Sequence, residues 1–130
     1  MRILEIGAGR GDVTLALART LPQRGLLIAM EGDAAHVSLA RERLRAAGYD
    51  QRVSVMSGEP ARFLHKVRGP FDAIVLHPEH AALRQKLSAL LRPGGVLISS
   101  DRKYSEKDMT IAEWLAQAKA DAEKRGLPEL

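Results

Sequence analysis

Five short apolar runs alternate with segments of helical periodicity, and this alternation constrains the fold of the chain more than any other feature. The runs have strand length and almost continuous apolarity, as expected for strands that are covered on both faces. They comprise Arg2–Ile6, Leu26–Glu31, Val53–Ser57, Ala73–His77 and Val96–Ser100. Helices are predicted between them at Val13–Thr20, Ala34–Ala47, Pro60–Val67 and Ala81–Leu91. The alternation predicts an α/β three-layer sandwich with a mainly parallel sheet, whose ligands bind at the carboxyl ends of the strands.

Length and composition limit the classes of protein to which the chain can belong. Its 130 residues are 45% apolar and 28% charged, which suits a single domain spanning residues 1–130. The lack of cysteine excludes a disulfide scaffold and a thiolate zinc site. Lys and Arg number 20 against 16 Asp and Glu, and they are scattered rather than gathered in a tail. No stretch is long and apolar enough for a membrane span or a signal peptide, so we expect a soluble cytoplasmic protein.

A glycine-rich loop follows the first predicted strand and leads directly into a helix. It reads Glu5-Ile6-Gly7-Ala8-Gly9-Arg10-Gly11-Asp12. Glycines allow a sharp turn and let a ligand approach the backbone N–H groups, while the helix N-terminus favours an anion. The dinucleotide-binding pattern requires its third glycine where this chain has Asp12, so the spacing disfavours a pyrophosphate site. The alternative is that the glycines serve only a tight turn.

Three further segments accompany this loop in a fixed order. They are Ala29-Met30-Glu31-Gly32-Asp33, Met56-Ser57-Gly58-Glu59-Pro60-Ala61, and Phe71-Asp72-Ala73-Ile74-Val75-Leu76 followed by Pro93-Gly94-Gly95. Together the four segments resemble the class I S-adenosylmethionine-dependent methyltransferases with a Rossmann-like fold. Their order and the fourth segment most resemble the small O-methyltransferases related to catechol O-methyltransferase. The resemblance covers residues 2–101 and implies the strand order 3-2-1-4-5.

The resemblance implies where S-adenosyl-L-methionine, the cofactor of that family, is held. The methionine part lies on the glycine loop, an acid after strand two accepts hydrogen bonds from the ribose hydroxyls, and an acid after strand three meets the adenine amino group. Alternatively, Glu31 is a solvated acid at a strand end, and Glu59 is a charge at the N-terminus of the helix beginning at Pro60. The implied cofactor residues are Glu5, Gly7, Ala8, Gly9, Gly11, Glu31, Gly32, Gly58, Glu59 and His77.

The loop after strand four departs from the family pattern. The family holds a divalent metal there with an acid, and with two more polar residues after strand five. This chain has His77, Ser100 and Asp101 at those positions, a poor oxygen cage for magnesium, so we predict no metal. His77 and His80 could hold a transition metal, but no third ligand is evident. We predict that His77 is the catalytic general base, because imidazole changes protonation near neutral pH. The alternative is a packing or solvent-facing histidine.

These features favour a metal-independent methyltransferase that acts on a small-molecule acceptor. The first alternative is a non-catalytic module that binds S-adenosylmethionine or S-adenosylhomocysteine. The second is an RNA-directed methyltransferase, suggested by the excess of basic residues.

We expect the family's N-terminal helices and C-terminal β-hairpin to be missing. A last helix carrying Ile111, Trp114, Leu115 and Ala118 on one face is predicted instead. Strand five would then lie at an open edge without Lys or Pro, so we expect a homodimer.

Overall fold

Five parallel strands form one sheet in the order β3-β2-β1-β4-β5. The computed structural model describes residues 1–22, 24–99, 113 and 116. The strands are β1 (Arg2–Ile6), β2 (Leu26–Glu31), β3 (Val53–Ser57), β4 (Phe71–Leu76) and β5 (Leu91–Ser99). Each neighbouring pair is parallel, so the predicted strand order and the predicted α/β class are confirmed.

Within residues 1–99 the four α-helices follow the predicted order but not every predicted boundary. They are α1 (Asp12–Thr20), α2 (Ala34–Ala46), α3 (Pro60–Phe63) with a 3-10 turn over Leu64–Lys66, and α4 (Arg84–Ser88), preceded by a 3-10 turn over Pro78–Leu83. The helix predicted over Ala81–Leu91 is therefore wrong at both ends. Pro78 starts helical structure earlier, because its fixed φ suits a first helical position.

Strand β5 starts earlier than its apolar run suggests. Leu91 pairs with Phe71, and after a register shift Val96 pairs with Ala73. The Pro93-Gly94-Gly95 segment has residues typical of a turn, but it forms the irregular part of the strand itself. A Cβ on Gly95 would lie 3.1 Å from the carbonyl oxygens of Phe71 and Asp72, so a larger residue would have to displace this close strand contact.

Alternate residues of each strand pack on opposite faces of the sheet. One face packs against α1 and α2, which we call the first helical layer, through Ile3, Leu17, Val37 and Ala40. The other face packs against the second helical layer, which comprises α3, α4 and the two 3-10 turns. Phe71 and Leu87 are fully buried there. This two-sided burial explains why the strands are apolar throughout.

All five strands run in the same direction, so their carboxyl ends meet at one edge of the sheet. This edge carries the glycine loop, Glu31, Glu59 and His77. The predicted residues Ser100 and Asp101, the predicted last helix and the predicted loss of the β-hairpin lie outside the described residues. Within the described part of the chain, no helix is long and apolar enough to cross a membrane.

Candidate functional site

The glycine loop is fixed to the neighbouring strand by its own backbone. The N–H groups of Gly7 and Ala8 both donate to the carbonyl oxygen of Met30, at 2.9 and 3.0 Å. Gly7 has φ +93° and Gly9 has φ +55°, values in the left-handed region that favours glycine. Within the described part of the chain, a Cβ built on Gly9 would meet no atom within 4 Å. The loop therefore turns sharply and leaves open space above Gly9.

Glu31 joins the end of β2 to this loop. Its Oε1 accepts a hydrogen bond from the Gly9 N–H at 2.7 Å, and its Oε2 accepts one from the Asp33 N–H at 2.9 Å. Asp33 in turn caps α2, because its Oδ1 accepts from the N–H groups of Ala35 and His36. The hydrogen bond from His36 is the main cause that lowers the pKa of Asp33. Glu31 is thus a carboxylate held directly over the loop rather than a side chain directed away from it.

Glu5 lies beneath the loop and not on its open side. Its side chain is buried, and Oε1 accepts a hydrogen bond from the Thr14 hydroxyl of α1. Burial raises the pKa of Glu5 to about 7, the Thr14 hydrogen bond opposes this, and the charge of Glu31 adds to it. The structure therefore places Glu5 between β1 and α1, where it supports the loop from below.

Gly11 lies at the helix end of the loop and faces a second helix. A Cβ on Gly11 would lie 3.1 Å from the Cβ of Ala40 on α2, and its φ of +93° also favours glycine. Arg43 of α2 reinforces this junction, because it donates to Asp12 Oδ1 at 2.7 Å and to the Arg10 carbonyl at 3.1 Å. The position of Gly11 thus serves the packing of α1 against α2.

The ends of β2 and β3 bring Gly32, Gly58 and Glu59 together. A Cβ on Gly32 would lie 2.7 Å from Glu59 Oε2, and the Gly58 N–H donates to the Glu31 carbonyl at 2.9 Å. The Phe63 ring packs against Gly58, where an added Cβ would lie 2.5 Å from its Cδ2. Sequence reasoning missed Phe63, although its position three residues after the Pro60 helix start was a usable signal.

The end of β4 places two histidines against the glycine loop. A Cβ on Gly7 would lie 3.0 Å from both the His77 Cβ and the His80 Cδ2. The side chain of His80 is 18% exposed and that of His77 47%. Glu79 Oε1 lies 3.3 Å from His80 Nε2 and 3.7 Å from His77 Nδ1, so one carboxylate faces both rings.

Sequence reasoning considered His80 only as a possible metal ligand. The 3-10 turn that begins at Pro78 brings residues three apart onto one side of the backbone, which places His80 beside His77. A proline after the strand end was the available signal for such a turn. Among the described residues, no group of three His, Cys, Asp or Glu side chains is arranged to hold a metal ion.

Comparison with known proteins assigns the family. A family model described as a methyltransferase domain matches residues 3–95. The chain belongs to the methyltransferase domain family. This result and the solved structures below confirm the resemblance to class I S-adenosylmethionine-dependent methyltransferases.

Individual relatives of this methyltransferase domain differ in what their names say they act on. The chain is 31% identical over 106 residues to a catechol O-methyltransferase of Niastella koreensis, covering 76% of this chain and 48% of that protein. It is 28% identical over 126 residues to a protein-L-isoaspartate O-methyltransferase of Methanopyrus kandleri, covering 95% and 53%. The chain therefore spans about half the length of the curated relatives that it matches.

A solved structure shows the same fold in a cofactor complex. The O-methyltransferase TomG of Streptomyces achromogenes, determined in complex with S-adenosylmethionine, matches with a TM-score of 0.69 and 30% identity. The match covers 75% of this chain and 47% of TomG. This chain therefore shares its fold with a protein that has been determined in complex with S-adenosylmethionine.

Proposed function

We propose that this domain binds S-adenosylmethionine and transfers its methyl group to a small-molecule acceptor without a metal ion. The observation that carries the proposal is the contact between Glu31 and the Gly9 N–H, at 2.7 Å. It supports the proposal because it joins the acid after β2 to the glycine loop after β1 at one edge of the sheet, where a single ligand could reach both.

The donor set of this edge fits the parts of the cofactor. The glycine loop leaves open space for the methionine part, and the N-terminus of α1 offers its partial positive charge to the carboxylate of that part. The Glu31 carboxylate can accept hydrogen bonds from two ribose hydroxyls, since each oxygen has more than one acceptor position. Glu59 lies beside Gly32 and can accept from the adenine amino group. Glu5 acts on this ligand only through the loop above it.

When bound, the cofactor supplies a methyl group on a positively charged sulfur. The domain's own residues must then orient the acceptor and accept its proton. His77 is our first candidate for this base, and His80 is the second because its ring contacts Gly7 and is less exposed. The Glu79 carboxylate lies within 3.7 Å of a ring nitrogen of each imidazole.

Two measurements test the proposal. Calorimetry with S-adenosylmethionine and S-adenosylhomocysteine should show binding of both, and no binding at millimolar concentration would overturn the cofactor assignment. A methyl-transfer assay should then compare small phenols, amines, isoaspartyl peptides and RNA, with and without a chelator. We expect transfer to a phenol or amine that persists in chelator; activity that is lost in chelator and restored by magnesium would contradict the metal-free reaction.

A second candidate function is cofactor binding without catalysis. It is favoured by the loop after β4, where His77 stands at the position at which the family places an acidic metal ligand. The assay above separates the two candidates, because a binding module gives a calorimetric signal and no transfer to any acceptor. We prefer the enzyme, since the histidines adjoin the loop on which the methyl donor is expected to bind.

We further propose that the chain forms one domain over residues 1–130, resides in the cytoplasm and assembles as a homodimer. Support for the dimer comes from β5, whose hydrogen-bonded neighbour among the described strands is β4 alone. A second copy could cover the free edge. Light scattering at micromolar concentration should give twice the chain mass of 14.2 kDa, and a mass near that of one chain would reject the dimer.

A further inference from the structure

His36 lies beside the acid that ends β2. It belongs to the first turn of α2, and its Nδ1 is 3.8 Å from Glu31 Oε2. The imidazole is 39% exposed, whereas the side chain of Glu31 is 12% exposed, so the ring borders the solvent side of a mostly buried carboxylate. A ligand that approaches Glu31 Oε2 from solvent would therefore meet this ring.

The backbone fixes the positions of both side chains. Glu31 Oε1 accepts from the Gly9 N–H at 2.7 Å, and Glu31 Oε2 accepts from the Asp33 N–H at 2.9 Å. Asp33 Oδ1 accepts from the His36 N–H at 3.1 Å, which holds the first turn of α2 against the end of β2. His36 thus projects from a segment of backbone that is hydrogen-bonded to the carboxylate it faces.

The gap between the imidazole and the carboxylate has a size that one oxygen atom can bridge. Because N–H to O hydrogen bonds are about 2.7–3.2 Å long, Nδ1 and Oε2 are too far apart for a direct one at 3.8 Å. An oxygen placed to one side of the line between them can lie about 2.8 Å from both atoms. A polar contact longer than about 3.5 Å often includes such an intervening group.

The chemistry of the two atoms favours a hydroxyl group in this gap. An ionised carboxylate only accepts hydrogen bonds, whereas an imidazole nitrogen that carries hydrogen donates one. A hydroxyl group can do both, since it can donate to Glu31 Oε2 and accept from His36 Nδ1 at the same time. A ligand with only a hydrogen atom at this position would satisfy neither group.

We propose that His36 is a specificity-determining residue for the cofactor, whose Nδ1 donates to the ribose hydroxyl that donates to Glu31 Oε2. The inference rests on the proposed function, because it requires that S-adenosylmethionine binds with its ribose at Glu31. The second hydroxyl would reach Oε1, where the carboxylate is bonded to the Gly9 N–H and not faced by an imidazole. The two hydroxyls are therefore held unequally.

The test is calorimetry with S-adenosylhomocysteine and with its 2′-deoxy and 3′-deoxy analogues, on the full chain and on His36→Ala. The variant should bind S-adenosylhomocysteine about three- to tenfold more weakly, which is the scale of one hydrogen bond's net contribution. For one of the two deoxy analogues, variant and parent should bind within about twofold of each other, because the hydroxyl that His36 contacts is absent.

Two further variants separate this contact from a general effect of changing α2. His36→Asn keeps an N–H donor near the position of Nδ1 and should bind S-adenosylhomocysteine within about twofold of the parent. Arg45→Ala truncates an exposed side chain in the last turn of the same helix and should leave the affinity unchanged.

Three results would overturn this inference alone. The first is unchanged affinity of His36→Ala for S-adenosylhomocysteine. The second is tighter binding, which would show that the imidazole competes with the ligand for Oε2. The third is an equal loss for S-adenosylhomocysteine and both deoxy analogues, which would place the effect away from the ribose. No binding of S-adenosylhomocysteine to the parent would instead overturn the proposed function, together with the inference that rests on it.

Discussion

The ends of β1 and β2 and the end of β4 lie at the same sheet edge but are built by different means. At β1 and β2 the backbone sets the geometry: the Gly7 N–H binds the Met30 carbonyl, and the Gly9 N–H binds Glu31. At β4 the contacts are between side chains, since Glu79 faces both histidines, and Glu79 and His77 are 63% and 47% exposed. The difference indicates that the half proposed to bind the cofactor is fixed mainly by the main chain, whereas the half proposed to face the acceptor depends on individual side chains.

The largest effect is expected from Gly9→Val, which should abolish cofactor binding. A branched side chain at this position fills the open space in which we propose that the cofactor approaches the backbone. The matched control is Gly48→Val, because Gly48 also has positive φ and open space within the described part of the chain, but lies beyond α2 and away from the site. Calorimetry should show binding in the control and none in Gly9→Val; loss in both would indicate backbone strain alone.

At the β4 end, substitutions should change turnover and leave cofactor affinity intact. If His77 is the base, His77→Ala should lower kcat by about 10²-fold or more with little change in the affinity for S-adenosylhomocysteine. His80→Gln should then have a much smaller effect on kcat. The reverse ranking would assign the base to His80, and parallel loss of turnover and affinity in His77→Ala would point to a packing role.

Glu31→Ala tests the β2 end, where a side chain contributes to the backbone-built half. Removing a charged acceptor of ribose hydrogen bonds should weaken cofactor binding by about 1.5–3 kcal/mol. The control is Asp33→Ala, which removes the α2 cap and keeps the carboxylate of Glu31. If calorimetry shows that Glu31→Ala binds as tightly as the parent, the assignment of Glu31 to the ribose is wrong.

The same contrast explains what the sequence could predict. Requirements of the backbone are visible in the local sequence. Residue type and order therefore predicted the glycine loop, the bounds of β1 to β3 and the acid that ends β2. The β5 boundary was not, because Pro93-Gly94-Gly95 is typical of a turn, whereas the pairing of Leu91 with Phe71 is set by a neighbouring strand. The sequence also did not predict side-chain contacts between separate elements. No local pattern indicates, for example, that the Thr14 hydroxyl donates to Glu5.

The smallest effect is expected from Glu5→Gln, which tests the buried carboxyl group beneath the glycine loop. The pKa of Glu5 is raised from 4.5 to about 7, so between these values the folded chain binds more protons than the unfolded chain. The free energy of unfolding of the parent therefore falls as pH rises from about 4.5 to 7 and then levels off.

Gln cannot ionise, so the Glu5→Gln variant lacks this loss of stability. The free energy of unfolding of Glu5→Gln, relative to that of the parent, should therefore rise by about 1–3 kcal/mol from pH 5 to pH 8. Urea unfolding at both pH values measures this, with the exposed Glu42→Gln as the control. A relative stability of Glu5→Gln that does not change with pH would show that Glu5 is ionised in the folded chain at both values.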